Sequence, residues 1–130
     1  MSHAPQQLRL RDQGRELVVV DADAEPLALS AEYLRVFSPS AEVQGHGLIE
    51  PQLVGGKRAV TIKRIEPVGR YAVRLHFSDG HDTGLYAWDT LREMAAQHDK
   101  RWARYLERLE AHGMSRDEDV IAFNALRPRK

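Results

Sequence analysis

The chain has 130 residues, 19 basic and 19 acidic side chains and no cysteine. That length is one domain. The balanced charge lacks the positive field that holds proteins on phosphate backbones, and the missing thiols exclude disulfides, thiol catalysis and thiolate metal sites. The opening M-S-H-A-P-Q-Q has neither the charged start nor the apolar run of a signal peptide, and no apolar stretch is long enough to span a bilayer. The expectation is a cytoplasmic protein with neither nucleic acid nor membrane as partner.

In chain order, Leu8 and Leu10 alternate with Arg9 and Arg11. Asp12 to Arg15 forms a turn, and Glu16 to Val20 is an apolar, β-branched run, which together predict an opening hairpin. Pro26 to Leu29 is a short third strand. Ser30 is a helix N-cap with Glu32 in the first turn. The helix carries Tyr33, Leu34 and Phe37 on one side and stops at Ser38-Pro39-Ser40, because a residue before proline avoids helical geometry. From Ala41 to Lys57, scattered glycines, Pro51 and the lack of periodicity predict a long surface loop. Gly55-Gly56-Lys57 does not make a phosphate loop, since the upstream glycine is missing and Arg58 stands where a hydroxyl residue is needed.

Ala59 to Ile65 alternates again, with Val60 and Ile62 on one side, and Pro67 to Gly69 turns the chain. In the next strand Tyr71, Val73, Leu75 and Phe77 alternate with Ala72, Arg74, His76 and Ser78. Asp79-Gly80 suits a two-residue hairpin turn, which sets His81 opposite Ser78, His76 opposite Thr83 and Tyr86 opposite Val73. Arg74, His76, Ser78, His81 and Thr83 would then share one polar face. Beyond Trp88 the spacing of Leu91, Met94, Trp102, Tyr105 and Leu109 is helical. Asp89 or its neighbour serves as the cap, and Gln97-His98-Asp99 is a break between two helices. Gly113 is a stop. The expected domain is 1–113, with 114–130 a loose tail in which Val120 to Leu126 could dock. The fold expected is α+β: one small antiparallel sheet with a central β-hairpin, a short helix after the N-terminal strands and one or two C-terminal helices packed on one side.

The run F-S-D-G-H-D-T-G-L-Y-A-W-D-T-L, from Phe77, and the upstream Y-L-R-V-F-S-P-S-A-E-V, from Tyr33, resemble two marks of a bacterial domain family of unknown function. That family is similar to the N-terminal domain of gamma-butyrobetaine hydroxylase, and the resemblance spans about Leu8 to Trp102. It implies a structural zinc held by three cysteines and the histidine of the turn. The matching positions here are Ser38, Ser40, Val43 and His81. Only His81 retains a ligand, so the expectation is that zinc is lost and no cofactor is bound, unless His46, His76 or Glu42 rebuilds a site. Hydroxylase members carry their iron and 2-oxoglutarate chemistry in a separate larger domain, for which this chain is too short. Fusions of other members to iron-sulfur scaffold proteins imply a module that docks on partners.

None of His3, His46, His76, His81, His98 and His112 is followed two residues later by a carboxylate, so the usual facial-triad iron motif is absent. No serine has a defensible histidine and carboxylate partner. The expectation is therefore a non-catalytic protein-interaction or adaptor domain, whose surface is formed by Arg74, His76, His81, Thr83, Ser38, Ser40 and His46. A metal-binding accessory domain of an oxygenase or iron-sulfur pathway is the alternative. At single residues the ordinary roles stay open: His81 bonding its own turn, Arg74 and His76 as a solvated face, and Trp102 with Tyr105 as packing.

Overall fold

Leucine and valine alternation at the N-terminus yields β1 (Gln7–Arg11), β2 (Glu16–Val20) and β3 (Leu27–Ser30), an antiparallel sheet in which Leu8 pairs with Val19 and Leu17 with Leu29. The computed structural model describes residues 3–39, 42–45 and 48–117, and of 42–45 and 48–51 only the backbone. At the first turn Asp12, Gln13 and Gly14 all have positive φ. Gly14 cannot be replaced freely: a Cβ there would lie 2.4 Å from the Ile62 carbonyl oxygen. The Gly14 carbonyl in turn accepts from the Ile62 amide at 2.7 Å. The first turn is thus pressed against the start of a second sheet.

Helix α1 (Ala31–Val36) begins where expected, with the Ser30 hydroxyl accepting from the Tyr33 amide at 3.0 Å. Its first amide, from Ala31, donates to the Arg15 carbonyl at 2.7 Å. Five of its six residues are buried, Arg35 being the exception. Tyr33 and Leu34 belong to the main core with Leu17, Leu29, Leu75 and Leu91, whereas Val36 packs with Tyr105 and Leu109 in a smaller cluster. A helix so enclosed needs polar partners from elsewhere. The Tyr86 hydroxyl donates to the Leu34 carbonyl at 2.5 Å, and the Tyr33 hydroxyl to the Met94 carbonyl at 2.8 Å. Burial pushes both phenols up, Tyr33 to about 12.

The segment expected to be structureless from Ala41 to Lys57 holds a hairpin, β4 (Glu42–Gly45) and β5 (Leu48–Pro51), with Glu42 paired to Pro51 and Gly45 to Leu48. Four-residue strands are too short to show a period.

The second three-stranded sheet is β6 (Ile62–Val68), β7 (Ala72–Phe77) and β8 (Leu85–Ala87), in that spatial order. The α+β class holds, but the single sheet expected is instead two three-stranded sheets and a hairpin. β6 starts three residues later than its alternation suggested and carries Pro67, tolerated on an edge strand. Val73 pairs with Tyr86 as predicted. The turn differs. The Gly80 amide donates to the Phe77 carbonyl and the Phe77 amide to the His81 carbonyl, both at 3.0 Å, with Gly80 at φ 92. This is a three-residue loop, so His81 faces Phe77 rather than Ser78. Ser78 bonds Thr61 instead, through its amide at 2.8 Å and its hydroxyl at 3.0 Å. Tyr71, expected to point inward, precedes the strand and is 77% exposed.

Helices α2 (Trp88–Ala96) and α3 (His98–Ala111) are separated by Gln97 alone. Asp89 is no cap. Ala87 occupies that place, and Asp89 sits in the first turn, 3.5 Å from Arg92. After Gly113, residues 115–117 are docked: the Ser115 carbonyl accepts from Gly56, the Arg116 carbonyl accepts from Arg58, and Arg116 pairs with Glu32. The rest of the tail expected to be loose, with Val120 to Leu126 as the stretch that could dock, lies outside the described residues. Among the described residues no helix is long and apolar enough to cross a membrane.

Candidate functional site

The end of α1 and the tip of the β7–β8 loop meet. Ser38 Oγ is 2.9 Å from His81 Nε2, and Ser38 is fully buried. Gly84 permits the approach, because a Cβ there would lie 2.4 Å from Ser38 Oγ. Beside this pair, Asp79 gathers three donors: Arg35 Nε at 2.8 Å, Lys57 Nζ at 2.6 Å and the His81 amide at 3.0 Å. Burial raises the Asp79 carboxyl, but the bonds from Lys57, the His81 amide and Arg35 outweigh it and hold the group at about 2. His81 is pushed below its usual range, chiefly by burial and then by the charge of Arg35. This arrangement links three segments through one carboxylate. A buried hydroxyl beneath a glycine is poorly placed to meet a substrate.

A second group lies on the outer face of β6 and β7. His76 Nε2 is 2.8 Å from Glu66 Oε1 and 3.2 Å from Arg64 Nη2. Arg64 and Arg74 each reach the same Glu66 oxygen only at 3.7 Å. The His76 hydrogen bond, and then the two arginine charges, hold the Glu66 carboxyl below its ordinary range. The Nε of Arg74 is closed off from solvent and has no acceptor among the described residues. Leu85, opposite Arg74 on β8, is 42% exposed.

The single patch predicted from Arg74, His76, His81, Thr83 and Ser38 is therefore divided. The extra residue in the turn carries His81 to the inner side with Ser38 and Phe77, while Arg74 and His76 face outward. Thr83 is exposed. Ser40 and His46 lie outside the described residues. Arg35, Gly84 and Glu66 were not singled out from sequence, and Asp79 and Lys57 only as a turn residue and as part of a rejected phosphate loop. Gly84, two residues before a core tyrosine in a strand, was the available signal of a close approach.

The donor chemistry at Ser38, Ser40, Val43 and His81 does not fit zinc. Valine offers no ligand atom, a neutral hydroxyl does not replace a thiolate, and His81 Nε2 is already within hydrogen-bond distance of Ser38. His76 turns to the other face and cannot complete the set. Among the described residues no group of three or more His, Asp or Glu side chains could hold a metal ion.

Residues 8–92 match the family described as gamma-butyrobetaine hydroxylase-like, N-terminal. Two solution structures determined by NMR are similar. One has 44% identity and a TM-score of 0.75 over 94% of this chain and 98% of its own, and the other 42% and 0.77 over 99% and 95%. A crystal structure from Acidithiobacillus ferrooxidans, described as a protein of unknown function in the DUF971 family, has 40% identity and a TM-score of 0.59 over 71% of this chain and 92% of its own. No curated protein matches.

The Asp79 carboxylate has a depressed pKa, so its stabilisation is present above its unfolded value of 3.8 and is lost as pH falls toward about 2. Asp79→Asn should lower stability at pH 7 by about 1–2 kcal/mol. In urea unfolding at stepped pH, the difference from the parent should close across that acidic window. A difference unchanged down to pH 2 would show that the charge of Asp79 is not what holds these segments.

Proposed function

The chain belongs to the gamma-butyrobetaine hydroxylase-like N-terminal family, and from that premise we propose that it is a non-catalytic interaction domain that docks on a protein partner through the outer face of β6 and β7. The observation that carries this reading is Arg74. Its guanidinium shares one carboxylate, 3.7 Å away, with Arg64 and His76, and its Nε is shut away from water with no acceptor among the described residues. The side chain as a whole is 38% exposed, and with Glu66 no closer than 3.7 Å a carboxylate supplied by a partner would hold the guanidinium better, by a charge-assisted bond. Exposed Leu85 opposite it and the exposed Tyr71 just before β7 add apolar area of the kind that anchors interfaces. The inner cluster has a structural part in this reading: it fixes the turn from which β8 departs. A cytoplasmic setting is in keeping with a chain that has no cysteine.

Arg74→Ala with His76→Ala should leave the fold intact, since both side chains lie on the wetter face, and should abolish capture of partners from the source cells as read by mass spectrometry. Retention of every partner by the folded double variant would move the interface elsewhere. We also propose that the domain works without a metal. Elemental analysis of purified protein should find no stoichiometric zinc or iron. One tightly held ion per chain, lost together with thermal stability on His81→Ala, would favour the accessory metal-binding reading instead.

A further inference from the structure

Away from the β6–β7 face, the side chain of Glu32 is buried in the first turn of α1, only 7% exposed. A carboxylate so enclosed is strongly destabilising unless paired. Its partner comes from 84 residues further along: Arg116 Nε and Nη2 donate to the two Glu32 oxygens at 2.8 and 2.7 Å. The same guanidinium lies 5.2 Å from the centre of the Trp102 ring. A two-pronged carboxylate with an aromatic wall is an arrangement that selects arginine over lysine.

The backbone completes the receptor. The Gly56 amide donates to the Ser115 carbonyl at 2.8 Å and the Arg58 amide to the Arg116 carbonyl at 3.0 Å. Gly55 leaves room for the approaching chain, since a Cβ there would lie 2.5 Å from the Ser115 oxygen. Tyr105 fixes this loop from below through a 2.7 Å bond to the Val54 carbonyl. A cleft of about 400 Å³ continues past Met114 and Ser115. Every receptor group belongs to the folded body, whereas the occupant contributes one arginine, two carbonyls and the exposed Asp117 carboxylate. The occupant is joined to α3 through Gly113, whose amide donates to the Glu110 carbonyl at 3.1 Å, and through the Met114 amide, which donates to the Leu109 carbonyl at 2.8 Å. Gly113 sits at φ 65 with no atom near its Cβ position, and the remaining ion pair, Arg58 with Asp117, is exposed and adds little.

We propose that this groove is an arginine-recognition site for an extended, arginine-bearing segment of a protein partner, and that residues 114–117 are its displaceable occupant in the free chain. This site is distinct from the outer face of β6 and β7 and does not depend on it. Exchange is governed by competition between a tethered occupant and a free one, so weakening the tethered arginine opens the site.

A fluorescein-labelled peptide copying residues 113–119 provides the test, by anisotropy against the full-length chain. Arg116→Ala should bind it about tenfold or more tightly than the parent. Replacing the peptide's arginine by alanine, or adding Glu32→Gln to Arg116→Ala, should abolish that binding. Should Arg116→Ala fail to fold, Arg116→Lys keeps the charge without the fork and should show the same gain in smaller measure. A folded Arg116 variant that binds no better than the parent, or that binds the arginine-free peptide equally well, overturns the proposal. A concentration-dependent dimer of the parent that dissolves on Arg116→Ala would assign the groove to a second copy of the chain and overturn it as well.

Discussion

Burial of a helix only six residues long constrains everything around it. α1 is too short to be stable alone, and it occupies the place where both apolar clusters meet. Its termini and carbonyls still require partners, which the rest of the chain supplies from a distance: the Arg15 carbonyl from the first turn, the Tyr86 hydroxyl from β8, Asp79 from the loop before it and Arg116 from beyond α3. Each of these is a polar group delivered to one buried element. The two sheets need not merge, because both are oriented by this helix and by the Gly14 to Ile62 bond.

The same logic accounts for a turn histidine without a zinc set. The resemblance implies that relatives join the segment after α1 to the histidine turn through an ion. Here the Ser38 to His81 contact and the Arg35, Asp79 and Lys57 cluster join the same two stretches with hydrogen bonds and charge. Gly84 lets them approach closely. The tie needs no thiolate, and it leaves His81 half-buried with its pKa lowered, chiefly by burial.

The readable parts of this fold in the sequence were those governed by local rules. Ser30 with Glu32 announced α1, Gly113 announced the end of α3, and the register of the expected Asp79-Gly80 turn placed Tyr86 opposite Val73, a pairing kept although the turn has three residues. What escaped depended on a single residue or on distance. One added residue in the Ser78-Asp79-Gly80 loop moved His81 to the other side of the sheet and divided a predicted patch in two. The β4–β5 hairpin was hidden by strands too short for periodicity. The Glu32 to Arg116 pair spans 84 residues, and no local pattern encodes it. The family marks in the sequence led to the right pair of segments, while the chemistry joining them had to be seen in three dimensions.

If α1 is the element on which the others close, it cannot open by itself. Native-state hydrogen exchange measures this directly, through the amides of Tyr33, Phe37 and Ser38, which donate to the Ser30 hydroxyl and to the carbonyls of Tyr33 and Arg35. The account predicts that they exchange with the free energy of global unfolding, as do Leu17 and Val19 in β2. Exchange of the α1 amides through a local opening more than about 2 kcal/mol below the global value would contradict it.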